Sequence, residues 1–277
     1  MIRVLVDSGS SIKQDEREAY NVDVLPLKIL LGNREYLDGV DLSMDTFYRA
    51  LIEEKQFPKT SLPSLGDTEM LVKKYLDAGD EVLILTISSG ISGTYNTMRM
   101  HFADESRVRV IDSKTAVGGI RILLREINKM RYQTMDYIES KVKALISRIK
   151  VVAIPETLEY LHRGGRLSRS AWAIGSMLQL KPLISLDSSD GNVKVLAKER
   201  GKRRAMQKLI QYLEDYNCDE NYPIVPSYTY DKENLDTLIS MTDEKYRAQM
   251  IEYDNLDPAI ACHWGPNAFG YIFVSKA

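Results

Sequence analysis

Three apolar runs, Ile2 to Val6, Leu83 to Leu85 and Val108 to Ile111, each break off into a loop of hydroxyls and glycine that leads into sequence with helical spacing. This repeated order leaves few architectures open. A short apolar run bounded by turn residues reads as a buried strand. Strands alternating with helices build a largely parallel sheet covered by helices. The loops are "DSGSS" (7–11), "ISSGISGTY" (87–95) and "DSKTAVGG" (112–119), with a fourth Ser/Thr loop, "KTSLPS" (59–64), ahead of another helix. In open α/β sheets ligands bind outside the carboxyl ends of the strands. Hydroxyls and helix-start amides gathered there suit an anion such as a carboxylate or phosphate. Any one such loop is also what an ordinary strand-to-helix turn uses for capping.

Alternation of strand and helix continues through "VVAIP", which ends at Ile154 and Pro155. On the way, Gly32-Asn33 suggests a hairpin, and Ser43 is placed to cap a helix. Beyond residue 154 the pattern changes. "PLISLDSSDGNVKVLAKER" reads as two strands joined at Asp190-Gly191, hence an antiparallel pair. The expectation is an α/β chain of two domains. Residues 1–154 form a mostly parallel sheet with helices, and residues 155–277 an α+β unit with antiparallel strands.

Composition excludes several functions. A net charge of -2 gives no electrostatic footprint for nucleic acid or an anionic membrane. Two cysteines without a CxxC pairing argue against a disulfide framework or zinc cluster and favour a reducing compartment, so the expected location is cytoplasmic. No segment approaches the roughly 18 apolar residues of a membrane span. Neither a Walker sequence nor a G-x-G-x-x-G follows a strand, and no His/Cys/Asp group has metal-ligand spacing.

A nucleophile is worth testing. Ser92 lies in "GISGT", which is not G-x-S-x-G. A Ser-dependent esterase or thioesterase would need a base, and among His101, His162 and His263 the last, in "ACHWGPNAFG", is the candidate. A second stretch, "LEYLHRGGRLS" (158–168), breaks a helix at Gly164-Gly165 with Arg163, Arg166 and Arg169 around the break. Arginine there suits an anion, or simply flanks a helix end. "KERGKRRAMQK" packs Lys198, Arg200, Lys202, Arg203, Arg204 and Lys208 together, either a solvated face or a docking surface for an acidic partner.

Seven stretches taken in order resemble one family. "VDSGSSI", "TSLPS", "SSGISGTYNT", "IDSKTAVGG", "LEYLHRGGRLS", "LKPLISLDSSDGNV" and "HWGPNAFG" look like the DegV proteins over nearly the whole chain. The resemblance implies a two-domain, non-catalytic protein that binds a long-chain fatty acid and presents it to the catalytic subunit of a fatty acid kinase, which makes acyl-phosphate. It implies no cofactor beyond the fatty acid, roughly C14 to C18, whose tail brings about 0.8 kcal/mol per buried methylene. By residue, it implies that Thr60, Ser92 and His263 hold the carboxylate, with Ser61 and Gly93 beside them. Arg166 matches an arginine near the head group, and Arg200, more loosely, one used for kinase docking. Ile91, Met98, Ile174 and Met177 are expected along the tunnel, where methionine suits an adaptable apolar wall. A monomer with only transient membrane contact is expected. The chain departs from the family pattern at Trp264, which is bulkier than expected, and at Asn267, where Gly-Pro-Gly becomes Gly265-Pro266-Asn267.

Overall fold

The computed structural model describes residues 1–168, 172, 180–251 and 254–276. β1 (Ile2–Asp7) and β2 (Val22–Leu25) run parallel, with Val4 opposite Val22. β3 (Lys28–Leu31), β4 (Arg34–Leu37) and β5 (Lys59–Ser61) form a small antiparallel sheet in the order β4-β3-β5. The chain then returns to the first sheet with β6 (Glu81–Thr86) and β7 (Val108–Asp112). That sheet has the order β2-β1-β6-β7 and is parallel throughout. Gly32-Asn33 does form the β3–β4 turn, and the Ser43 hydroxyl accepts from the Thr46 amide at the start of its helix.

β8 (Ile149–Ile154), β9 (Leu180–Leu186), β10 (Val193–Arg200), β11 (Val225–Tyr228), β12 (Asp254–Asn255) and β13 (Phe269–Val274) make a six-stranded sheet in the order β10-β9-β8-β13-β11-β12. Its neighbours are antiparallel, apart from the β11–β12 pair. Here one expectation is corrected. β8, read from sequence as the last strand of the first layer, pairs with β13 and β9, so the change of sheet comes before Ile149 rather than after residue 154. A central antiparallel strand covered on both faces is as apolar as a parallel one, so "IKVVAI" carries no mark of which sheet it joins.

One hydrophobic cluster joins the two large sheets. Val4, Leu83 and Leu85 of the first and Val151, Ile184 and Ile272 of the second belong to it, together with Ile120, Leu123 and Leu124 of the helix Gly118–Lys129. A smaller cluster seats the helix Pro258–Trp264 on the three-stranded sheet: Ala259, Ala261 and Cys262 pack with Leu27, Ile29 and Phe47. A helix late in the chain is thereby placed against loops from its beginning.

Candidate functional site

The four Ser/Thr loops divide into two kinds; three follow strands of the first sheet, and the fourth, "KTSLPS", begins in β5 of the small antiparallel sheet. "DSGSS" serves the fold. Ser8 Oγ accepts from the Leu27 amide at 3.0 Å, Ser11 Oγ accepts from the Asp257 amide at 3.2 Å, and both serines are buried. Asp7, at the end of β1, accepts from the amides of Gly9 and Ile87 at 3.0 and 2.8 Å and so ties two loops together. Its burial pushes the carboxyl up to about 7. In "DSKTAVGG", Ser113 and Thr115 are likewise buried, and the Ser113 hydroxyl donates to the Thr115 carbonyl.

The other two loops open onto a cavity of about 210 Å³. Thr60, Ser61 and Leu62 form one wall, Ile87, Ile91 and Ser92 another, and Ala259, Ile260, His263 and Trp264 a third. Leu27, Leu161, Arg166, Leu186 and Val193 complete it. Most of this lining is aliphatic or aromatic, and the polar groups are few. Such a space accepts a largely apolar ligand with one polar end.

Those polar groups are specific in arrangement. Thr60 Oγ1 lies 2.7 Å from His263 Nε2. Burial, helped by the nearby Arg166 guanidinium, lowers the His263 pKa to about 3, so the ring is neutral at pH 7. Its Nδ1 is buried without a hydrogen-bond partner among the described residues. Ser92 Oγ meets Thr94 Oγ1 at 2.9 Å and accepts from the Thr94 amide at the start of the helix Thr94–His101. Arg166 donates through Nε to the Ile91 carbonyl at 3.0 Å and through Nη1 to the Gly164 carbonyl. Among the described residues no carboxylate pairs with Arg166, and partial burial draws its pKa down. A half-buried cation without a counter-charge is costly unless an anion joins it.

The helix that presents His263 is held from outside itself. Asp257, at its cap position, makes no side-chain capping bond, and Pro258 opens the first turn. The cap comes instead from Asp38, whose Oδ1 accepts from the Ala259 amide at 3.0 Å. Lys13 adds bonds to the Asn255 carbonyl and to Asp257 at 2.9 and 3.0 Å. Asp38 is almost wholly buried, and desolvation, with Asp257 nearby, raises it to about 7.

A Ser–His–carboxylate relay is not assembled among the described residues. His263 Nε2 faces Thr60 rather than Ser92, and no carboxylate holds Nδ1. Nor does any group of three or more His, Cys, Asp or Glu among them stand where it could hold a metal ion. No helix among the described residues is long and apolar enough to cross a membrane.

Against known proteins, the sequence model described as "Uncharacterised protein, DegV family" matches residues 1–276. The chain belongs to the DegV family. A DegV domain-containing protein of Clostridium acetobutylicum is 31% identical over 99% of both chains. Among solved structures, one described as showing fatty acid binding of a DegV family protein from Thermus thermophilus superposes with a TM-score of 0.88 at 25% identity, covering 99% of each chain. A stearic acid-binding protein from Eubacterium ventriosum superposes with a TM-score of 0.86 at 25% identity, covering all of this chain and 99% of its own. The α/β class with one parallel and one antiparallel sheet is thus the DegV fold.

The structure distributes the sequence candidates of this DegV chain unevenly. Thr60, Ser61, Ile91, Ser92, Arg166 and His263 all line the cavity. Gly93 stands next to Ser92 but is exposed and not part of the lining, and Met98 is fully buried away from it. Arg200 ends β10, seven residues beyond the cavity residue Val193, which at about 3.4 Å per residue is roughly 24 Å along the strand. Ile174 and Met177 lie outside the described residues, as does Arg169. His162 stacks on Trp172 rather than on the cavity. Sequence reasoning missed Leu161, Leu186, Val193, Ala259 and Ile260, whose apolar character marks them only as core. Asn267, the departure from Gly-Pro-Gly, has φ +60, a conformation asparagine tolerates better than most residues, and its amide donates to the Thr229 carbonyl.

Proposed function

We propose that this protein binds a long-chain fatty acid in the cavity, with its carboxylate at Thr60, Ser92 and His263, and presents that carboxylate to a fatty acid kinase subunit for phosphorylation. One observation carries the reading: two hydroxyls, a neutral histidine and an arginine with no carboxylate partner among the described residues line the wall of an otherwise apolar cavity. A carboxylate leaving water needs donors to its charged form. Hydroxyls at Thr60 and Ser92 supply them, and Arg166 supplies the charge. Lengthening the tail by one methylene then adds about 0.8 kcal/mol of burial.

The head-group end is the one near solvent. Ser61 and Gly93 are exposed beside Thr60 and Ser92, whereas Leu161, Leu186 and Ile260 are buried. A phosphoryl-transfer partner would reach the carboxylate there. Exposed Arg200, Arg203 and Arg204 form the basic surface we assign to docking an acidic face of that partner. Support for the ligand class comes from the Thermus and Eubacterium relatives, described as fatty acid-binding and stearic acid-binding.

The test is native mass spectrometry of the purified protein, followed by denaturing extraction and lipid identification. A stoichiometric fatty acid, weakened in Thr60→Ala and lost in Ser92→Ala, is the expected result. An empty protein that also fails to take up added palmitate or oleate overturns the reading. For the second half, fatty acid kinase activity should depend on Arg200 while fatty acid affinity does not.

A further inference from the structure

We infer that Trp264 is the wall that ends the acyl cavity and sets the longest chain it takes, an inference that rests on the fatty acid reading above. Trp264 lines the cavity on one side. It also lines a second, much smaller apolar void of about 10 Å³, walled by Val117, Ala153, Leu256, Ala268 and Ile272 among others. Of the residues described around the two spaces, Trp264 alone is common to both. The indole is therefore a partition. On its far side the void holds about one water-sized sphere and no more.

The partition is fixed in place. Trp264 is the last residue of the helix Pro258–Trp264, and the following amide, Gly265 N, donates to the Ala261 carbonyl at 2.9 Å. The residue is 8% exposed and packed in the cluster that joins the two sheets. The walls of the void are strands β8, β11 and β13 together with the start of the helix Gly118–Lys129, which cannot yield singly. A tail that reaches the indole has no further apolar space, so additional methylenes gain no cover. Removing the indole joins the cavity to the void and adds the volume of the lost ring. Each methylene then covered strengthens binding about fourfold.

The experiment measures affinities of the full-length protein for saturated fatty acids from C12 to C20, by displacement of a fluorescent fatty acid. In the unsubstituted protein affinity should rise with chain length and then stop rising. In Trp264→Ala the stop should move to chains about two or more carbons longer, at about fourfold per added methylene. Trp264→Ala combined with Ala268→Leu, which refills the void, should move it back. If Trp264→Ala does not fold, Trp264→Phe carries the same test with a smaller shift in the same direction. An identical length profile in the variants and the parent overturns the partition while leaving the ligand class intact. Failure of the parent to bind any member of the series overturns the ligand reading and this inference together.

Discussion

Gly164 lies against the ring of His263: a methyl group on its Cα would stand 2.3 Å from Nδ1. Nothing larger than a bare backbone fits between the break in "HRGGRLS" and the histidine that faces the cavity. The same turn holds Arg166, which donates to the Gly164 carbonyl. One short segment thus positions both the neutral ring and the Arg166 cation.

Gly164→Ala should therefore displace His263. Overpacking of this kind costs about 1–3 kcal/mol, and here the ring is what must move. Fatty acid affinity should fall roughly tenfold or more. Gly165→Ala is the matched control. Its φ is +74, but no atom lies within 4 Å of the added methyl group. It should lose about 1–2 kcal/mol of stability through backbone strain while keeping more of its affinity. Calorimetric titration with palmitate and urea unfolding of both variants decide the matter. Equal affinity losses would show that the close approach to His263 is not what matters.

Arg166→Met separates binding from folding. The substitution removes two donors to backbone carbonyls, each worth about 1 kcal/mol, and also a half-buried cation without a carboxylate partner among the described residues. These effects oppose one another, so the melting temperature should change by about 4 °C at most. Ligand affinity has no such compensation, and losing a charged donor to a carboxylate should weaken it roughly tenfold or more. Thermal unfolding and titration of the same sample provide both numbers. Unchanged affinity would remove Arg166 from the head-group site.

Much of this was legible in the sequence, for identifiable reasons. β1, β6 and β7 announce themselves as apolar runs ending in Ser/Gly loops; Ser92 stood out as a hydroxyl in one of those loops, and Thr60 as one in the separate "KTSLPS" stretch, which begins in β5 of the small sheet. The same signal overreached at Ser8 and Ser11, whose hydroxyls bind backbone amides. Capping and ligand binding use the same residue types, so composition does not separate them. Asp38 was invisible. In "YLDGVD" it looks like a turn residue, and its partner Ala259 lies 221 positions away. Trp264 stood out only as a bulky departure; that it divides two spaces is a property of packing between sheets.

Asp38 also makes stability depend on pH with a defined sign. Its folded pKa, about 7, is raised above the ordinary 3.8, chiefly by burial. The folded state therefore holds a proton that the unfolded state has released. That contribution is complete below about pH 3.8 and is lost as pH rises through 7. Asp38→Asn keeps an acceptor for the Ala259 amide but cannot ionise. From pH 5 to pH 8 the variant should gain on the parent by roughly 1–3 kcal/mol in urea unfolding. Asp7 has the same sign, and His263, lowered to about 3, the opposite one, but both are present in the two proteins and cancel in the difference. A difference independent of pH would mean that Asp38 is ionised throughout this range.

The last expectation concerns how the cavity stays closed. The loop after β6 and the turn between β9 and β10 come from different sheets, and they meet at Ser88 and Gly191. Ser88 Oγ donates to the Gly191 carbonyl at 2.8 Å, and a methyl group on Gly90 would lie 2.3 Å from the Gly191 carbonyl carbon. Lys114, held by Ser89 Oγ at 3.1 Å and Asp112 at 2.9 Å, reaches across to the Asp190 carbonyl at 3.5 Å. Each partner leads directly into a cavity wall: Ile87, Ile91 and Ser92 flank one, Leu186 and Val193 the other. Gly191→Ala would force its methyl group to 2.0 Å from Ser88 Oγ at a φ of +76, so the turn must withdraw. Ser88→Ala removes only the hydrogen bond, about 1 kcal/mol. Stopped-flow displacement of a bound fluorescent fatty acid should show release accelerated most in Gly191→Ala, less in Ser88→Ala, and slowest in the parent. Identical release rates in all three would mean that this contact holds the sheets together without controlling the cavity.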